Sequence, residues 1–242
     1  MTKRGKSVGL LLLIPAAASA QWPGDQKIPA VRYPDLPRHA ATLTAFVPKQ
    51  WKLTDKAAGD LNGDGVPDAA LVIWMDDPRN RIHSSYDPKT RYDTNPLMIV
   101  VLFGTKSGGY DLAVANHKLI QRRTNPNQDP PFNSISIVGG VLRVKMHEFL
   151  EAGGWRLGKT SFAFRWQGAA LRLIGYDRDA IIKNTGATEV ISVNYATRRM
   201  VVKTGTMSGD EPDRTKTVTL PSKPLLTLDQ VGDGLMFEPE GQ

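Results

Sequence analysis

Past residue 40 the apolar positions fall in short runs and alternations rather than in helical stripes. "TLTAFV" (42–47), "AALVIW" (69–74), "LMIVVLFG" (97–104) and "YDLAVAN" (110–116) are each bounded by turn residues. Their period is that of strands, about 2 residues rather than about 3.6. Two further stretches spell hairpins. "SISIVGGVLRVKM" sets β runs on either side of Gly139-Gly140, a pair suited to a primed two-residue turn. "TSFAFRWQGAALRLIGYD" repeats the arrangement about Gly168-Ala169 and puts Phe162, Phe164 and Trp166 on one face. "TEVISVNY" (188–195), "RMVVKTG" (199–205) and "KTVTLP" (216–221) predict more strands. One helical candidate competes. "VKMHEFLEA" (144–152) has helix-forming residues, but it has no cap and continues a hairpin strand.

Many short strands at roughly ten-residue spacing predict an all-β fold, either a small propeller-like meander or a β-sandwich. No internal repeat supports a propeller by periodicity. Residues 21–40 carry four prolines and read as an extended lead-in, with 41–242 as one all-β domain. Two long connections, 76–96 and 121–133, are of a length that marks binding surfaces or disorder.

The first twenty residues change the setting. Lys3, Arg4 and Lys6 precede an apolar stretch from Val8 to Ile14 and an Ala18-Ser19-Ala20 cleavage signature. That is the pattern of a secretory signal peptide, and it places the mature protein in the periplasm or outside the cell. The chain has no cysteine, hence no disulfide and no lipidation site, and a core, a metal or a partner must stabilise it instead. Removing the three leader cations reduces the net charge from +7 to +4. The remaining cations, including Arg122-Arg123 and Arg198-Arg199, read as solvated faces without the clustering that nucleic-acid binding requires.

Candidate chemistry concentrates in "DLNGDGVPD" (60–68). A one-segment calcium loop places oxygen ligands at positions 1, 3, 5, 7 (through a carbonyl) and 9, with Gly at 6. Here these are Asp60, Asn62, Asp64, the Val66 carbonyl and Asp68, with Gly65 at the sixth position. The bidentate acid of position 12 is replaced by Leu71 and a strand follows, so this is not a full EF-hand. A plain Asn-Gly/Asp-Gly turn is the alternative, but it gains nothing from three mutually repelling carboxylates. The expected cofactor is therefore Ca2+ in a structural role.

No spacing points to catalysis. The four histidines are scattered, "HEFLE" lacks the second histidine of a helical zinc site, and there is no G-x-S-x-G. Acid pairs such as Asp76-Asp77 and Asp177/Asp179 carry no reaction-specific spacing. "TKSGGYDLA" (105–113) admits two readings. Ser107-Gly-Gly-Tyr110 is a glycine-rich hairpin loop whose Tyr starts the next strand, or a loop that presents a hydroxyl and an aromatic to a partner.

Three segments, "AFVPKQWKLTDKAAGDLNGDGVPDAALVI", "NPLMIVVLFGTKSGGYDLAVAN" and "SFAFRWQGAALRLIGYDRDAIIKNTGATEVISVNYATRRMVVKTG", carry a resemblance over about residues 43–205. They are similar to exported bacterial proteins with one FG-GAP-like calcium loop and a propeller-like β fold. Members with an understood role resemble periplasmic immunity proteins, which block lysozyme-like peptidoglycan hydrolases injected by rivals through a killing type IV secretion system. The Ser107–Tyr110 element is similar to the "SGxY" loop of periplasmic lysozyme inhibitors, whose Ser and Tyr enter the enzyme's cleft. Such immunity proteins are lipoproteins, and this chain has no cysteine to lipidate. The resemblance thus implies a soluble periplasmic version, or a shared fold without the role. The expected function is non-enzymatic inhibition of a peptidoglycan hydrolase. The alternative is a calcium-dependent glycan or cell-wall binding module, with Trp155 as a sugar-stacking candidate. No nucleic-acid partner and no membrane span are expected.

Overall fold

The computed structural model describes residues 27–149, 156–210 and 212–241. The leader (1–20) and Trp155 lie outside the described residues. Strands β1 (His39–Ala40), β2 (Trp51–Gly59), β3 (Asp68–Met75), β4 (Arg81–His83), β5 (Arg91–Asp93), β6 (Leu97–Gly104) and β7 (Tyr110–Asn116) form the first part. The second part is a meander of β8 (Phe132–Val138), β9 (Val141–Glu148), β10 (Arg156–Gln167), β11 (Ala170–Ile182), β12 (Ala187–Asn194), β13 (Arg199–Thr206) and β14 (Arg214–Thr219). A one-turn helix, α1 (Leu228–Val231), follows. The strands make a five-stranded sheet ordered β1-β7-β6-β3-β2, a seven-stranded sheet running β14 to β8, and the small β4-β5 pair. Every pairing among the described residues is antiparallel, and no sheet closes into a barrel. The chain is all-β.

The unbroken apolar runs of β3 and β6 have a physical reason: both strands are buried on both faces. Ala70, Val72, Ile99 and Val101 join Leu142, Phe162, Phe164, Tyr176 and Ile191 of the long sheet in one core. Leu71, Ile73, Val100 and Leu102 point the other way, into a second cluster with Phe46 and Trp51. Val31, Tyr33 and Leu36 of the proline-rich lead-in cover that second cluster. The described part of the lead-in, from residue 27, has no strand before His39, yet it is anchored: Tyr33 stacks on His117 with ring centroids 3.8 Å apart.

The helical candidate at 144–152 is strand as far as Glu148. Val144 and Met146 alternate into the core, and β8 and β10 supply the ladder partners on either side. Pairing on both edges overrides helix propensity, which is a weak prior.

Both two-residue turns form where expected. Gly139 and Gly140 have φ of 58° and 71°, and Gly168 and Ala169 have φ of 55° and 61°. Ala169 is thus an L-residue in the left-handed region, which costs roughly 1–2 kcal/mol. Ala169→Gly is expected to raise the unfolding free energy by about 0.5–1 kcal/mol, because the glycine's larger unfolded-state entropy offsets part of the relief. Urea denaturation checks this, and a loss of stability would contradict it.

The connection 76–96 is a folded unit. A 3-10 turn at Pro78–Asn80 leads into the β4-β5 pair, and Asn80, Thr94 and Asn95 are buried. Arg122 holds it in place. Its Nη1 donates to the Pro29 carbonyl at 2.7 Å, and its Nη2 donates to Asn80 Oδ1 at 2.9 Å and Thr94 Oγ1 at 3.0 Å. Its Nε donates to the Thr94 carbonyl. Arg122 is therefore a clamp between three segments, not the solvated cation its sequence neighbourhood suggests, and burial pulls its pKa down.

Candidate functional site

The loop joining β2 to β3 is the Asp60–Asp68 stretch. Leu61, 4% exposed, anchors it in the core, while Gly63 and Gly65 take φ of 82° and 81° and turn the backbone around the acidic side chains. The Asp60 carboxylate accepts from Gly63 N–H at 2.7 Å and Gly65 N–H at 3.0 Å. Asn62 Oδ1 accepts from Asp64 N–H at 2.9 Å, and Asp64 Oδ1 accepts from Val66 N–H at 2.8 Å. Asn62 Nδ2 also donates to Asp64 Oδ2 at 3.1 Å. The side chains of positions 1, 3 and 5 are therefore all turned inward on the loop they belong to.

Asp68 behaves differently. It is 1% exposed, at the first position of β3. Its Oδ2 accepts from Leu61 N–H at 2.7 Å and Asn62 N–H at 3.2 Å, and its Oδ1 accepts from Gly104 N–H at 3.0 Å. Burial pushes its pKa up, those three N–H bonds oppose the rise, and the Asp64 charge adds to it. An ionised carboxylate under that penalty is stabilised by any nearby cation.

The donor set suits a hard cation, since it consists of carboxylate, amide and carbonyl oxygens. Among the described residues no three His, Asp or Glu side chains form a metal-holding group. A site here would depend on the Asn62 amide oxygen and the Val66 carbonyl as well as on Asp60 and Asp64. Asp68 Oδ1, with one backbone bond, keeps a lone pair, whereas Oδ2 already accepts two N–H bonds.

Gly104, the last residue of β6, joins this loop to the next feature. A Cβ at Gly104 would come within 2.3 Å of the Pro67 carbonyl oxygen, so only glycine fits there without a backbone shift. The same residue pairs with Tyr110 across the β6–β7 hairpin. Thr105 ties that hairpin shut: its N–H donates to the Gly109 carbonyl at 3.1 Å and its Oγ1 to the Gly108 carbonyl at 2.6 Å. Gly108 and Gly109 supply φ of 89° and 85°. Ser107 is exposed at the tip, 3.3 Å from Thr105 Oγ1. Tyr110 is half-buried, opposite Ala40 and packed on the second apolar cluster. The two residues thus occupy different settings, one at a polar tip and one on a sheet face.

Of the paired acids, Asp76, Asp77 and Asp177 are engaged. Asp76 is bound by Lys52 and Arg81, which hold its carboxyl below the usual range, and Asp77 is held down in the same way by Arg79. Asp177 accepts from Ser192 Oγ at 2.8 Å on an exposed sheet face. Among the histidines, His39 contacts Asp111 at 2.7 Å and His117 stacks on Tyr33. No helix among the described residues is long and apolar enough to cross a membrane. Comparison of the chain with protein-family models, curated proteins and solved structures returned no match.

Proposed function

We propose that this is an exported, calcium-stapled, non-catalytic protein that inhibits a lysozyme-like peptidoglycan hydrolase by inserting the Thr105–Tyr110 hairpin into its cleft. The observation that supports this most is the hairpin's preorganisation. Thr105 closes it from within, and Asp68 holds its base through Gly104 N–H at 3.0 Å. A loop already fixed in its bound shape loses little entropy on docking. Calcium in the Asp60–Asp68 loop, ligated by Asp60, Asn62, Asp64, the Val66 carbonyl and Asp68, would stiffen the same base. Of the two finer architectures the sandwich is favoured over the propeller, because residues from both large sheets share one core.

The test is clearance of a peptidoglycan suspension by a lysozyme-type enzyme, with and without the purified mature protein. Protection is expected, with Tyr110→Ala weakening inhibition by about tenfold or more, as loss of a central aromatic contact does. Ser107→Ala should weaken it less. Full protection by the Tyr110→Ala protein would remove the hairpin from the proposal. Absence of protection across a panel of such hydrolases would remove the inhibitor reading.

A further inference from the structure

A groove of about 350 Å³ opens where the two long connections meet the sheets. Trp74 near the end of β3, Asp93 at the end of β5, Gln121, Arg123, Pro131 and Phe132 line it. That volume sits near the lower end of small-ligand pockets, which combine an apolar wall with a few polar groups. It matches one sugar ring better than a longer ligand.

The wall is aromatic and its orientation is fixed. Lys52 Nζ and Arg81 Cζ lie 5.9 and 5.5 Å from the Trp74 ring centroid, and Asp76 holds both cations. Trp74 lines the groove, and the indole surface that these cations leave uncovered is what would meet the C–H face of a pyranose. The polar groups are planar and complementary. Asp93 accepts from Arg81 Nε at 3.2 Å and Asn95 N–H at 2.7 Å, which leaves lone pairs for hydroxyl donors. Arg123 uses Nε and Nη2 on the Asn125 and Pro126 carbonyls at 3.4 and 2.6 Å, which leaves Nη1 to donate. The half-buried Gln121 amide makes no side-chain hydrogen bond to any described residue, and it can both give and accept. Sugar hydroxyls both donate and accept, so acceptor, donor and mixed groups around one ring are what they need.

We propose that this groove binds one pyranose unit of a glycan, stacked on Trp74 and hydrogen-bonded by Asp93, Gln121 and Arg123. The lining holds one carboxylate, Asp93, and not the acid pair of most glycosidases, so sugar binding is the role proposed for it. A polyproline segment offers carbonyl acceptors to Gln121 and Arg123 but no donor, so the Asp93 carboxylate would be desolvated without a match, which is costly. The site lies apart from the hairpin and stands independently of the inhibitor reading.

Calorimetric titration of the purified protein with an N-acetylglucosamine tetramer and with maltotetraose tests the proposal, with tryptophan fluorescence as a second readout. At least one oligosaccharide is expected to bind and to perturb the fluorescence. Trp74→Ala should weaken binding about tenfold or more and Gln121→Ala about threefold, in keeping with an aromatic anchor and one polar contact. Trp74→Phe keeps a ring in place and should abolish the fluorescence change, which guards against a folding defect in the alanine variant. Gln121→Ala should leave hydrolase inhibition as it was. Binding of neither oligosaccharide, or binding unaltered in all three variants, overturns the proposal. Trp74-dependent binding of decaproline, with neither oligosaccharide bound, would reassign the groove to a peptide.

Discussion

Arg122→Met is expected to lower the unfolding free energy by about 3 kcal/mol, through lost hydrogen bonds and stranded acceptors. The guanidinium donates to acceptors on the lead-in, the 3-10 turn and the link from β5 to β6, and those on Asn80 and Thr94 belong to residues only 2% and 0% exposed. Methionine fills similar space but donates nothing, so the acceptors face an apolar group. Losing a charged hydrogen bond to a buried acceptor costs about 1.5–3 kcal/mol, and part of the loss is recovered as water reaches the Pro29 carbonyl. For a chain of this size the melting temperature should fall by roughly 6–12 °C. Arg122→Lys should recover only a minor part, since a single ammonium cannot span the fork of acceptors. Calorimetry on the three proteins measures it, and a loss under about 1 kcal/mol would show that the clamp is incidental.

If the Asp60–Asp68 loop holds calcium as proposed, chelation is the second large expected effect. Binding to the folded chain alone adds RT ln(1 + [Ca]/Kd), about 2.7 kcal/mol at a hundredfold excess over Kd. Chelation should therefore lower the melting temperature by roughly 5–10 °C. Asp64→Asn is the useful control. The amide keeps an oxygen for Val66 N–H, which donates to Asp64 at 2.8 Å, yet it removes one charge from the ion site. This variant should melt close to the chelated wild type and respond weakly to added calcium. Identical melting curves with and without chelator would defeat the calcium assignment.

The sequence made the strand content legible because its two patterns have distinct causes. Alternation in "SISIV" and "VLRVKM" reflects one buried face, and the unbroken runs in "AALVIW" and "LMIVVL" reflect burial on two. The turns were legible because left-handed backbone needs Gly139, Gly140 and Gly168. The spacing of Asp60, Asn62 and Asp64 was legible for the same local reason. Long-range partnerships were not. Nothing near Asp68 in the chain announces Gly104, 36 residues on, and nothing in "QRRTN" announces a partner at Pro29. Gly104 itself offers a faint signal, a glycine ending an apolar strand, which marks close backbone approach. The groove around Trp74 has contributions from five separate segments, and only the fold could bring them together.

The lead-in's covering of the second cluster sets an order of events for the newborn chain. Its partners, the Leu112 N–H that donates to the Arg38 carbonyl at 2.8 Å, the His117 ring and the Arg122 guanidinium, all lie far downstream. Closing so long a stretch is entropically costly until those partners are already in place. The described part of the lead-in is therefore expected to dock after the strands it covers have formed.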